Sequence, residues 1–174
     1  MKKTALGFAL ALAVQMLILL AVPAQKMYTR ATGRDVVLKV MPVDPYSLLS
    51  GYYVTLGYDI NNFTSFPNHE QFNERGANVY AIVERRDDGV WHPVALVNAL
   101  PSSLPPNQIA LRGRTEYGRI QFGIEEFYIP ETKREAIADD LRQHPDAARV
   151  EVKVDGRGNA ALVRLRIEER VYED

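Results

Sequence analysis

The sequence contains no cysteine. Disulfides, thiolate nucleophiles and Cys-ligated zinc or iron–sulfur centres are therefore excluded together. Histidine is also scarce: His69, His92 and His144 lie far apart, without the close spacing that gathers metal ligands on one face, so no metal site is expected. There is no large charge of one sign. The formal net charge is −1, and the part after Ala24 holds 19 basic against 22 acidic residues, a balance of −3. That is too mild and too evenly spread to attract nucleic acid. The glycines of DGRGN (155–159) follow a strand and open another strand, with no helix N-terminus to receive a phosphate. No cofactor is expected.

One absence is local. Between Lys3 and Lys26 there is no charged residue, and residues 4–24, 21 in all, are mostly Ala and Leu. That length spans the hydrocarbon core of a bilayer as a helix. Residues 1–25 thus read as a membrane anchor or signal sequence, with 4–24 in contact with the lipid bilayer. Val22-Pro23-Ala24 has the small residues of a cleavage site. The apolar run is longer than a typical signal core and Pro23 falls inside the site, which favours a retained single-pass anchor. Nearby Lys and Arg flank both ends, so charge gives no orientation. A short leader before a long C-terminal part favours an N-terminus in the cytoplasm and residues 26–174 outside it, at the inner membrane. Cleavage near Ala24 would instead leave a secreted or periplasmic protein.

Residues 26–174 amount to about one domain's worth of chain. From residue 35 onward short alternating segments are separated by turn residues. Strands are expected over 35–40 and 52–60, then as hairpins 79–86 with 90–97, 109–115 with 119–125, and a last pair around DGRGN. Within 52–60, Tyr52, Val54, Leu56, Tyr58 and Ile60 share one face and read as core. Residues 61–78 form a long polar loop carrying three phenylalanines. One soluble helix starts at Pro130, has Ile137 and Leu141 on one stripe and stops at Pro145. The fold class is mainly β: an antiparallel sheet or partly closed barrel of seven or eight strands with one short helix, after an N-terminal transmembrane helix.

The stretch PVDPYSLLSGYYVTLGY (42–58) resembles the signature of the GDYxxLxY family of bacterial membrane-anchored proteins. Gly51, Tyr53, Leu56 and Tyr58 occupy the motif, and Asp44 and Pro45 match the segment before it. LRGR (111–114), FGIEEFYIPE (122–131) and VEVKVDGRGNAALVRL (150–165) continue the match in order. The Asp of the motif is Tyr52 here, a small change if that residue only caps a turn. The resemblance implies an accessory component of a bacterial membrane, associated with a multi-spanning membrane protein. It carries no established activity.

Candidate chemistry is confined to carboxylates in the matched segments. Asp44, Glu125 and Glu131 are candidates for a cell-envelope hydrolase if two of them meet in a cleft. The structural alternative, which the positions favour, is that Asp44 caps a turn and Glu131 a helix. No catalytic residue is assigned, and a binding role is favoured over an enzymatic one. A small-ligand or lipid-binding barrel under the 61–78 loop is the remaining alternative. Tyr53, pointing away from the core face, is the expected interface residue.

Overall fold

The computed structural model describes residues 2–41, 49–50, 53–72, 74–128 and 131–173. Helix α1 (Lys2–Thr32) runs unbroken, with Pro23 inside it. Its apolar side chains stand clear of the rest of the chain: Leu6 and Phe8 are more than 70% exposed, and Leu17 to Leu20 more than 60%. An apolar surface of this size is costly in water and needs a covering. The helix is long and apolar enough to cross a membrane.

Only Gly33 separates α1 from strand β1 (Arg34–Met41). Its amide donates to Thr29 O at 2.9 Å, closing the helix. A Cβ at Gly33 would lie 2.6 Å from Thr29 O and 2.8 Å from Val154 N, both backbone atoms, so any larger residue would push the helix off the sheet. In β1 the sequence VVLKV alternates, and Val36, Leu38 and Val40 are buried. Burying each contributes roughly 1.5–3 kcal/mol relative to exposure.

β1 is the fourth strand of a five-stranded antiparallel sheet ordered β12-β11-β10-β1-β4. Its other members are β4 (Gly57–Tyr58), β10 (Ala148–Val154), β11 (Ala160–Ile167) and β12 (Arg170–Glu173). A second sheet, β6-β5-β7-β8, contains β5 (Asn78–Arg85), β6 (Trp91–Val97), β7 (Gln108–Glu116) and β8 (Arg119–Gln121). A third joins β2 (Leu49–Ser50), β3 (Tyr53–Thr55) and β9 (Glu126–Tyr128). Pro93 is tolerated because β6 is an edge strand and its pairing with β5 shifts register beside Val83, the partner of Pro93. Helix α2 (Glu131–Gln143) buries Ile137 and Leu141 in the common core. The mainly β, antiparallel architecture with one short helix and an apolar N-terminal helix is the expected one.

Two expected strands are shorter than their sequence pattern. The segment 52–60 keeps its buried face, with Val54, Leu56, Tyr58 and Ile60 at 0–1% exposure. It is nevertheless divided: β3 pairs with β9, β4 pairs with β1, and Leu56 between them donates its amide to Glu125 O at 2.7 Å. The chain changes sheets at Leu56, and a 3₁₀ turn, Asp59–Asn61, comes next. Alternation reports burial, which survives a change of sheet. The strand expected over 119–125 ends at Gln121 because the next three amides are taken by a side chain. In the 61–78 loop, Phe66 and Phe72 are buried and Phe63 packs against the same core. Phe66 and Phe72 belong to the core and Phe63 to its margin, in a segment held by 3₁₀ turns.

Candidate functional site

The tyrosine-rich strand meets the β8–β9 connection in a network centred on Glu125. Glu125 Oε1 accepts from Phe122 N at 2.7 Å and from Asn61 Nδ2 at 3.0 Å. Its Oε2 accepts from Gly123 N at 2.8 Å and Ile124 N at 3.0 Å. Three successive amides therefore converge on one carboxylate, an arrangement made possible by Gly123 at φ +75°. Asn61, buried, spans the joint. Its Oδ1 accepts from Tyr58 N at 2.7 Å, and its Nδ2 also donates to Ile120 O at 2.7 Å. The Tyr58 hydroxyl donates to Ile124 O at 2.7 Å. Burial, reinforced by the charge of Glu125, pushes the Tyr58 phenol well above its ordinary value, so it stays neutral.

A groove of about 310 Å³ opens beside this network. Thr55, Leu56, Gly57 and Asn61 form one wall, and Glu116, Tyr117, Arg119 and Gln121 the other. Tyr117 and Gly118 make the tight turn between β7 and β8 with positive φ at both, the geometry that fits the twist of a hairpin. Tyr117 projects into solvent, 77% exposed, and Arg75 stacks on its ring at 3.9 Å. The groove therefore offers an aromatic face, a cation and an anion, with Glu125 at its floor. For chemistry, Glu125 is badly placed: its acceptor positions already hold four donors, and a general base must have one free. The arrangement is a groove whose floor is held in place by hydrogen bonds to backbone amides.

The candidates from sequence fall unevenly across this site. Leu56, Tyr58 and Glu125 are brought together. Tyr53 contributes its backbone to β3, opposite Tyr128, and Glu131 opens α2; their side chains lie outside the described residues. Asp44, Pro45 and Gly51 lie wholly outside them. The three histidines are separate: His69 Nδ1 is 2.8 Å from Phe66 O, His92 pairs with Asp88 and His144 with Glu168. Among the described residues no cluster of three metal-ligating side chains exists.

Three polar groups were not legible as important. Asn61 is one. The second is Asp155, in the DGRGN turn. Its Oδ1 accepts from Arg157 N at 2.9 Å and Asn159 N at 3.0 Å, and its Oδ2 from Asn159 Nδ2 at 3.0 Å and from the Thr29 hydroxyl at 2.8 Å. Burial opposes its ionisation, but these hydrogen bonds outweigh burial and hold the carboxyl below the usual range. The third is Asp140 on α2. Burial opposes its charge too, yet Tyr172 and Arg170, at 2.5 and 2.6 Å, hold its carboxyl low. Arg170 is thus a clamp between β12 and α2. The Asx-Gly pattern in DGRGN is the one signal that pointed to any of the three.

The model of the GDYXXLXY protein family matches residues 15–165 of this chain. No curated protein and no solved structure matches it.

Proposed function

The chain belongs to the GDYXXLXY family, and from that membership and the geometry of its groove and junction we propose that it is a single-pass envelope protein that works by binding another membrane protein. Residues 4–24 sit in the inner membrane, with the N-terminus in the cytoplasm and the β-rich part outside. The partner is a multi-spanning membrane protein, and the groove between the tyrosine-rich strand and the β7–β8 turn meets it. One observation carries this reading: α1 passes from its apolar stretch into the β-sheet without a linker, fastened by the buried Thr29–Asp155 hydrogen bond. A catalytic domain that must reach soluble substrates gains nothing from such a mount. An accessory protein that presents one face to a neighbour in the bilayer does, because less freedom is lost on association. The saturated carboxylate of Glu125 supports the same choice over a hydrolase.

The test is purification of the C-terminally tagged chain from detergent-solubilised membranes. The expected result is stoichiometric recovery of one multi-spanning protein with the native sequence and its loss with Tyr117→Ala, which removes an exposed groove residue without touching the core. Membrane-bound, folded protein that purifies alone under all conditions would overturn the reading.

A further inference from the structure

The junction of α1 with the sheets holds a small pocket whose depth relative to a bilayer can be worked out. The uncharged stretch ends at Ala24. At 1.5 Å per residue, positions 26–29 of α1 lie about 3–8 Å beyond it. The headgroup layer on each side of the hydrocarbon core is about 5–8 Å deep. Whatever touches this part of the helix is therefore at headgroup depth. A pocket of about 180 Å³ is found there, lined by Lys26, Thr29, Arg112, Phe122, Gly123 and Asn159, among others.

Two cations face this pocket without an acid. Lys26 and Arg112 are both exposed, and among the described residues neither side chain has a hydrogen-bond or ion-pair partner. Other arginines are engaged: Arg34 with the carbonyls of Pro106 and Gln108, Arg164 and Arg166 with Glu151, Arg170 with Asp140. The carboxylates that hold the pocket's walls, Glu125 and Asp155, turn their oxygens onto backbone amides and the side chains of Asn61, Thr29 and Asn159 rather than onto the two cations. Those same carboxylates make the walls rigid: Asp155 fixes Thr29 and Asn159, and Glu125 fixes Phe122 and Gly123. A Cβ at Gly123 would meet nothing within 4 Å, so the rim is open.

We propose that this pocket seats the phosphate of an anionic phospholipid headgroup between Lys26 and Arg112, its acyl chains running down the exposed apolar face of α1. Cations at the surface of an anionic leaflet gain affinity, about fivefold each. Phe122 supplies an apolar wall beside the glycerol. A bound lipid would then close the gap between helix and sheet, and fix which side of the β-rich part faces the membrane. The proposal rests on the membrane-anchored reading of α1.

The test uses the full chain in nanodiscs of phosphatidylcholine mixed with phosphatidylglycerol. Native mass spectrometry after release into mild detergent reads which lipid stays bound. The expected result is one retained phosphatidylglycerol per chain, lost at least tenfold in the double variant Lys26→Gln/Arg112→Gln. The pair Arg85→Gln/Arg86→Gln removes the same charge from residues that do not line the pocket, and should retain the lipid. Equal loss in both double variants, or no preference for phosphatidylglycerol, would overturn the pocket while leaving the anchor intact. Release of the native chain from membranes at alkaline pH would instead overturn the anchor, and the pocket with it.

Discussion

Two turns in this protein are built by the same device and serve different ends. In the β8–β9 connection, Glu125 gathers the amides of Phe122, Gly123 and Ile124 and the side chain of Asn61. In the β10–β11 turn, Asp155 gathers the amides of Arg157 and Asn159, the Asn159 side chain and the Thr29 hydroxyl. Each carboxylate replaces ladder hydrogen bonds at a place where a strand has to stop. The Glu125 network closes within the β-rich part and sets the shape of a groove. The Asp155 network reaches out to an apolar helix and sets the position of everything else against it. One carboxylate therefore shapes the groove, and the other ties the β-rich part to α1.

Breaking the first network has the largest expected effect. Glu125→Ala strands three amides and the Asn61 side chain and should cost about 3 kcal/mol or more in urea unfolding. Glu125→Gln, which keeps one acceptor oxygen, should cost less. Asp155→Asn removes the charge and turns one acceptor into a donor facing Thr29 and Asn159. It should cost about 2 kcal/mol, with a larger effect on helix–sheet docking than on the groove. Tyr58→Phe removes the hydroxyl bond to Ile124 O, leaves a buried carbonyl unpaired, and should cost about 1.5 kcal/mol by the same measurement. Thr29→Val, close to isosteric, should cost only about 1 kcal/mol and sharpens the assignment of the junction to this one hydrogen bond.

Titration separates the two regions further. The carboxyl of Asp155 is held below its ordinary value of 3.8, and that of Asp140 likewise. Their contribution to stability is complete above that value and is lost as pH falls through the lower values of the folded state. Tyr58 acts on the alkaline side. Its folded value lies above 10.0, so stability falls once pH exceeds about 10 and the unfolded chain alone gives up its proton. An acid-unfolding midpoint that moves with Asp155→Asn, and an alkaline limb that weakens with Tyr58→Phe while the smaller part due to Tyr172 remains, would check both.

Much of this arrangement could be read from the residues, and the failures have a common cause. The alternation of Val54, Leu56, Tyr58 and Ile60 reported the buried face correctly, because side-chain period depends on local extension alone. It could not report that β3 and β4 join different sheets, because that depends on the Leu56 amide meeting Glu125 O across the chain. The hairpins of β5–β6, β7–β8 and β10–β11 were legible from their turn residues. Glu125 was singled out for chemistry and proves to be committed to backbone amides, which its side-chain type alone did not distinguish. Thr29 was invisible: it looks like the polar end of an anchor, and its role exists only through a residue 126 positions away.

The helix and the sheets are joined by the buried Thr29–Asp155 hydrogen bond, and this joint is expected to hold α1 at one angle to the groove. The absence of cysteine makes a direct test simple, since labels can be placed without background. Met27 on α1 and Ala136 on α2 are both exposed; spin labels on cysteines at these two positions, in nanodiscs, report the distance between helix and β-rich part by pulsed electron paramagnetic resonance. A rigid joint predicts a single narrow distribution that broadens with Asp155→Asn. A broad distribution in the otherwise native chain, unchanged by Asp155→Asn, would contradict it.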